Sequence, residues 1–296
     1  MDLSIIIVSF NTKDILQECL DSVYKNLSQK YSTEVIVVDN GSTDGTVEKI
    51  QNVKIKIIQN KKNLGFSRAN NIGVKQAKGR YVLFLNSDTV LFRGTVEIIV
   101  KFMDSNQGTG AATCKVVLPN EKLDDAAHRG FPTPWNAFCH FSGLSRVFPR
   151  SRIFAGYSLG WIDLTTIHEI DACAGAFMMV RRSAGEEIGW WDEDFFWYGD
   201  DLDFCYRLKE KKWKIYYVPT VSILHYKGVS GGIKEISKNI TKADPKTKAL
   251  ATKARFEAMK IFYKKHYTDR YPSIITWFVM TGINVKLKLS DKIEHI

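Results

Sequence analysis

Cysteine and proline are scarce in this chain of 296 residues, at five and seven. Cys19, Cys114, Cys139, Cys173 and Cys205 are odd in number, widely scattered and never in a CxxC pair. A disulfide framework or zinc site is therefore not expected, and reduced thiols in a cytoplasmic setting are. Long apolar runs are also missing: Ser273 to Val285, the most hydrophobic late segment, falls short of the roughly 20 residues a spanning helix needs. The first apolar stretch, Ile5 to Val8, has strand length and no basic region before it, which argues against a signal peptide. Neither GxGxxG nor GxxxxGK[ST] occurs, which counts against a dinucleotide dehydrogenase and a P-loop NTPase. Internal repeats and low-complexity segments are absent as well.

What is present suits a folded α/β protein: 45% hydrophobic, 25% charged and 12% aromatic residues. The net charge of +10 is unevenly placed. From Lys209 onward there are 19 basic and 7 acidic residues, against 23 and 25 before it. A near-neutral body thus carries a basic C-terminal third, which suits an anionic surface or an anionic substrate. No nucleic-acid motif accompanies the basic residues, so no nucleic-acid partner is expected. Peripheral docking on the anionic inner face of the plasma membrane is the sharper expectation, with Trp277, Phe278 and Met280 entering the interface. The plainer reading is a solvated helical face.

The first 120 residues alternate strand and helix signals. Leu3–Val8, Glu34–Val38, Val53–Gln59 and Tyr81–Leu85 are short β-branched or apolar runs, as in strands buried on both faces. Asp14–Leu27, Thr46–Gln51 and Ser67–Ala77 between them have helical spacing. This rhythm predicts a doubly wound parallel sheet with its ligand beyond the carboxyl ends of the strands. Ser9–Asn11, Asp39–Gly41 and Asn86–Asp88 then share one crevice. From 122 to 171 the rhythm is lost, and the mixture there includes Arg129, Trp135, His140, Arg150 and Trp161. A long irregular stretch in a compact domain usually carries function or moves. Beyond it, Ala174–Arg181, Trp213–Val218 and Val221–Leu224 read as strands, and Asp201–Lys211 and Lys248–Tyr267 as helices.

Four places carry chemistry. Asp39 ends a buried strand and opens a Gly-rich turn; its carboxylate either accepts from a nucleobase or ribose, or caps the turn. Gly41 and Gly45 let backbone approach closely there. Asn86-Ser87-Asp88 puts a carboxylate at another strand end, where a divalent cation bridging a diphosphate needs few protein oxygens. Trp190 to Asp203 packs acids among aromatics, a setting for a poorly solvated base and for sugar stacking. The plain alternative makes Asp200, Asp201 and Asp203 first-turn helix acids. His225 follows a strand, where a lone histidine is more often structural.

The order of these motifs resembles glycosyltransferase family 2, over residues 3 to about 230. It runs from Ser4-Ile5-Ile6-Ile7-Val8-Ser9-Phe10-Asn11 and Val37-Val38-Asp39-Asn40-Gly41-Ser42-Thr43-Asp44-Gly45 to Asn63-Leu64-Gly65-Phe66-Ser67-Arg68-Ala69-Asn70-Asn71-Ile72-Gly73. Leu85-Asn86-Ser87-Asp88, Gly175–Arg182, the Asp192–Arg207 block and His225-Tyr226-Lys227-Gly228 complete it. The pattern is most similar to the rhamnosyltransferase-like branch. The resemblance implies a GT-A fold: a doubly wound, Rossmann-like mixed sheet with helices on both faces. Residues 1–230 would be the transferase domain, and 231–296 a basic helical extension.

By the same resemblance, Ser9, Asn11, Asp39, Gly41, Arg68 and Asn86 would bind the donor. Asp88 and His225 would hold Mn²⁺ or Mg²⁺, and Asp201 would be the base. Arg129, Trp197 and Asp200 would meet the acceptor, with 122–171 shaping that side. Two departures stand out: Asp200 replaces the family's Glu before Asp201, and the DxD-like motif keeps only its last carboxylate. The implied reaction is an inverting, non-processive transfer of a sugar from a nucleoside diphosphate to a hydroxyl. The donor would be dTDP-rhamnose or a UDP-sugar, and the acceptor a glycan or lipid-linked glycan in cell-surface polysaccharide synthesis. A processive synthase would add QxxRW and spanning helices, which the sequence lacks. A non-catalytic sugar-nucleotide or glycan-binding module would keep Asp39 and the aromatics but need neither Asp201 nor His225.

Overall fold

The computed structural model describes residues 1–50 and 55–294. The elements begin β1 (Leu3–Ser9), α1 (Lys13–Asn26), β2 (Thr33–Asp39), α2 (Thr46–Lys49), β3 (Ile55–Gln59), α3 (Phe66–Val74) and β4 (Tyr81–Asn86). They continue β5 (Thr89–Leu91), α4 (Thr95–Ser105), β6 (Thr109–Val117), α5 (Pro134–Ser142), α6 (Leu144–Val147), β7 (His168–Ile170) and β8 (Phe177–Arg181). The last are α7 (Arg182–Glu187), α8 (Asp200–Glu210), β9 (Lys214–His225), α9 (Pro245–His266) and α10 (Ser273–Glu294).

One sheet runs β3-β2-β1-β4-β8-β6-β9-β5, with β7 pairing β9. The parallel arrangement expected from the strand–helix rhythm holds for β3, β2, β1 and β4. Beyond β4 the sheet is mixed: β8 is antiparallel to both β4 and β6, and β9 is parallel to β6 but antiparallel to β5. Alternating side chains of β1 feed two cores, Ile5 and Ile7 on the α1/α4 side and Ile6 on the α3/α8 side. Both sheet faces are therefore covered, which is why β1 is almost wholly apolar and buried. The register sets Ser9 opposite Asp39 and Val8 opposite Asn86, so the three strand ends form one rim.

Three sequence expectations change. Trp213–Val218 and Val221–Leu224 are a single strand, β9, with a register shift where Val218 and Ser222 pair successive residues of β6. Pro219 lies within that shift, where a residue with no N–H interrupts no ladder. The segment 122–171 is not structureless. Thr133 caps α5 by accepting from Asn136 N, Pro134 takes the first turn, and Gly143, at φ +86°, ends the helix. Helix α2 stops at Lys49; Gln51 and the expected strand start at Val53 lie outside the described residues.

The C-terminal helices do not stand apart from the sheet domain. Phe262, Tyr263 and Tyr267 of the α9 region share an apolar cluster with Phe195 and with Tyr206 of α8. Asp203, fully buried on α8, accepts from Arg207 Nε at 2.7 Å and meets His266 Nε2 of α9 at 2.8 Å. Among the described residues, no helix is long and apolar enough to cross a membrane.

Candidate active site

A continuous cavity of about 1290 Å³ starts at the carboxyl ends of β1, β2 and β4. It passes the start of α8 and continues between α5, α9 and α10. At the rim, Asn40 uses its whole amide. Nδ2 donates to Asn63 Oδ1 and Gly65 O, and Oδ1 accepts from Asn60 Nδ2 and Leu64 N. Asp39 beside it is fully buried. Its Oδ2 accepts from the N–H groups of Gly41 and Ser42, at 3.2 and 3.0 Å. The turn-capping reading of Asp39 thus holds for one oxygen. Its Oδ1 is buried with no partner, although Asp39 and Gly41, unlike Asn40, are not part of the cavity lining. Gly41, at φ +82°, lies so close to Lys62 that a Cβ would sit 2.7 Å from its Cα.

Asp88 and His225 face each other next along the rim. The register Thr89↔His225 brings them together, with His225 Nε2 3.2 Å from Asp88 Oδ1. Asp88 Oδ2 accepts from the backbone N–H groups of Gly228 and Val229. His225 Nδ1 is bound 2.8 Å from Asp124 Oδ2, and Lys227 Nζ donates to Asp124 Oδ1 at 2.7 Å. Burial alone would lower the imidazole's pKa, but the two flanking carboxylates push it up to about 9. Burial would raise Asp88, yet His225 and the Val229 N–H hold it below the usual carboxylate range. His225 Nε2 has no properly directed hydrogen bond. Among the described residues, no three His, Cys, Asp or Glu side chains cluster as a self-sufficient metal site. A buried nitrogen without a partner beside one free carboxylate oxygen does fit two ligands of a divalent cation whose other ligands are phosphate and water. Asp124, fixing the imidazole from behind, is the outer partner such a ligand needs. No local signal marks it, because it lies 101 residues from the histidine.

The first turn of α8 adds Asp200 and Asp201, both lining the cavity. Asp201 Oδ1 accepts from Leu202 N, and Oδ2 lies 2.6 Å from Arg129 Nη2. Both side chains of that pair are nearly buried, at 16% and 10% exposure. Asp200 accepts from Asp201 N through Oδ1, while Oδ2 is buried without a partner. Burial, then the neighbouring Asp201 carboxylate, pushes the Asp200 pKa up to about 8. Asp200 therefore tends to hold its proton near neutrality, while the Asp201 carboxyl group lies against the Arg129 guanidinium.

Of the expected site residues, Asn86, Asp88, His225, Asp200, Asp201, Arg129 and Trp197 line the cavity. Others are arranged differently. Ser9 is fully buried, and its hydroxyl bonds to Thr12. Asn11 is spent on the Ser42–Thr43 turn, donating from its backbone N and accepting through Oδ1. Arg68 does not line the cavity; it pairs with Glu193 at 2.9 Å on the surface. Half of the six aromatics of 190–198 are core and not a stacking face. Trp191 and Phe195 are buried and Trp190 packs on the α3/α8 core, leaving Trp197 and Tyr198 at the cavity. Asp192 and Asp194 likewise form ion pairs with Lys265 rather than serving as poorly solvated bases.

The chain matches the model of glycosyl transferase family 2 over residues 4–189. It is 28% identical to rhamnosyltransferase WbbL of Escherichia coli (strain K12) over 171 residues, spanning 55% of this chain and 61% of that protein. Low-salt glycan biosynthesis hexosyltransferase Agl10 of Haloferax volcanii is 26% identical over all of this chain and 87% of its own. An N-acetylglucosaminyl-diphospho-decaprenol L-rhamnosyltransferase of Mycobacterium tuberculosis is 26% identical over 78% of each chain. Among solved structures, the mannosyltransferase PcManGT from Pyrobaculum calidifontis, in complex with GDP-Man and Mn²⁺, superposes with TM-score 0.53 at 18% identity. That match covers 97% of this chain and 86% of that one, and the fold is the GT-A fold. With its ordered motifs, mixed sheet and rim of strand-end polar groups, the chain belongs to glycosyl transferase family 2.

Proposed function

We propose that this glycosyltransferase is an inverting, non-processive enzyme moving a sugar, rhamnose first among the candidates, from a nucleoside diphosphate to an acceptor hydroxyl. The carrying observation is that the orphaned nitrogen of His225 and the acids Asp200 and Asp201 open into one cavity. Asp39 Oδ1 is suited to a nucleobase or ribose group, and Asp201 to taking the acceptor's proton as its oxygen attacks the anomeric carbon. Arg129 holds that carboxylate in one orientation. Asp200, when protonated, spares the site a second negative charge. Asp88 and His225 would hold Mn²⁺ or Mg²⁺, which supplies Lewis-acid stabilisation of the leaving diphosphate. The rhamnosyltransferase relatives favour a dTDP-rhamnose donor and a lipid-linked glycan acceptor. A place at the cytoplasmic face of the membrane fits the half-exposed Trp277 and Phe278 of α10.

The test is nucleoside-diphosphate release from a panel of dTDP- and UDP-sugars, with and without Mn²⁺, by the full chain and its Asp201→Asn variant. Metal-dependent release from one donor, lost in the variant, is expected. If sugar nucleotides bind but are never turned over with any glycan or lipid-linked acceptor, the chain is a binding module.

A further inference from the structure

The cavity exceeds the roughly 300–1,000 Å³ of an ordinary small-molecule site, and its distal half has a different chemistry from the rim. Three cations line it without an ion pair to a carboxylate among the described residues: Lys234, Arg255 on α9 and, apart from these two, Lys286 on α10. Lys234 is partly buried, with its ammonium 5.9 Å from the centre of the Tyr198 ring. Burial, with Arg255 and Lys227 as like charges nearby, lowers its pKa to about 8 against the opposing pull of Asp125 and Asp124. Arg255 is near enough to His140 of α5 to help lower that histidine's pKa, after burial. Lys234 and Arg255 are therefore neighbours, with Tyr198 on one side and His140 of α5 on the other. Two cations held close together in a partly desolvated site, neither in an ion pair with a carboxylate, favour an anion between them.

Beyond them the lining is largely apolar. Trp135 and Phe138 of α5 face Ile275, Phe278 and Val279 of α10 across the cavity. Lys286 of α10 closes the far end with its ammonium 3.5 Å from the centre of the Phe141 ring. Trp135, Phe138 and Phe278 are 49%, 55% and 60% exposed, costly for aromatics unless something covers them.

Resting on the transferase reading above, we propose that Lys234 and Arg255 clamp the phosphate of a lipid-diphosphate acceptor whose apolar chain lies in the groove between α5 and α10. The order of groups along the cavity matches such a molecule: sugar hydroxyl at Asp201, phosphate at the cations, hydrocarbon at the aromatics. Charge selects the headgroup, and the largely apolar lining beyond it selects a chain over a second sugar.

The test is a calorimetric titration of the full chain with farnesyl diphosphate, farnesol and inorganic pyrophosphate, each with dTDP or UDP and Mn²⁺ present. Farnesyl diphosphate is expected to bind at least tenfold more tightly than either fragment. Lys234→Ala and Arg255→Ala should each weaken it tenfold or more, and Lys234→Arg should retain it. The surface changes Phe138→Ser and Phe278→Ser should weaken farnesyl diphosphate and leave pyrophosphate unaffected. Nucleotide affinity should stay unchanged in all of them. Pyrophosphate binding as tightly as farnesyl diphosphate would overturn the lipid groove. Cation variants that lose nucleotide as strongly as lipid would overturn the acceptor clamp, since those cations would then serve the donor. The two readings fail separately. Lipid binding without sugar-nucleotide turnover sinks the transferase alone, and turnover onto a water-soluble glycan without lipid binding sinks the clamp alone.

Discussion

The two ends of the cavity are built on opposite plans. At the sheet end most polar atoms are already paired: Asn40 makes four hydrogen bonds, Asp88 is held by two backbone N–H groups, and His225 leans on Asp124. An exception is His225 Nε2. At the helical end Lys234 and Arg255 have no ion pair with a carboxylate, and Phe278 is 60% exposed. Preorganised polar groups suit a site that must stabilise charge without rearranging. An end with unpaired groups suits a ligand that brings its own charge and apolar surface.

The largest effect should come where the two ends meet. Asp201→Asn should lower turnover by about 10²–10⁴-fold while nucleotide affinity is unchanged, read by steady-state kinetics beside calorimetry. Equal losses in both would move Asp201 to the donor side. Asp203, two positions along the same helix, is the contrasting case. It touches no part of the cavity, but removing it strands Arg207 and His266 in a buried setting. Asp203→Ala should cost about 3–5 kcal/mol of stability in chemical denaturation. A smaller change is expected for Asp124→Asn, about 10–100-fold in Mn²⁺ affinity, measured by titration with nucleotide present. Wild-type affinity in that variant would break the view of the sheet end as preorganised.

The gentlest effect is one of pH. With its pKa raised to about 8, Asp200 retains a proton in the folded chain that the unfolded chain, near the ordinary 3.8, has released. Its contribution is fully present below about pH 4 and is lost as pH rises through 8, because the folded state binds more protons in that window. Asp200→Asn should flatten the stability profile over that range, seen as a smaller fall in denaturation midpoint between pH 5 and 8.

The sheet end was largely legible in the sequence, and the helical end was not. Strands such as Leu3–Ser9 announce themselves through unbroken β-branched runs, and the strand-end rule then groups Ser9, Asp39 and Asn86. Residues 89–121 carry no motif, yet they form β5, α4 and β6. Helix α4 has a readable face in Val96, Ile99, Val100 and Met103, whereas β6 buries alanines such as Ala111 and Ala112, whose strand preference is weak. The Thr133–Pro134 start of α5 was also readable as a cap and first turn. Asp124 and the Arg129–Asp201 pair were not, since both depend on contacts between distant parts of the chain. The aromatic density of 190–198 misled for a related reason: composition cannot tell a ring facing a sugar from a ring facing Phe84, as Trp191 does.

One backbone contact has a mechanical meaning. Phe66 N donates to Phe196 O at 2.8 Å, and Gly65 approaches that carbonyl so closely that a Cβ would stand 2.6 Å from it. The loop entering α3 and the acidic block before α8, 130 residues apart in the chain, are thereby pinned to each other. The rim at the strand ends and the first turn of α8 thus share one chassis, so a widening of the cavity is left to the helices opposite.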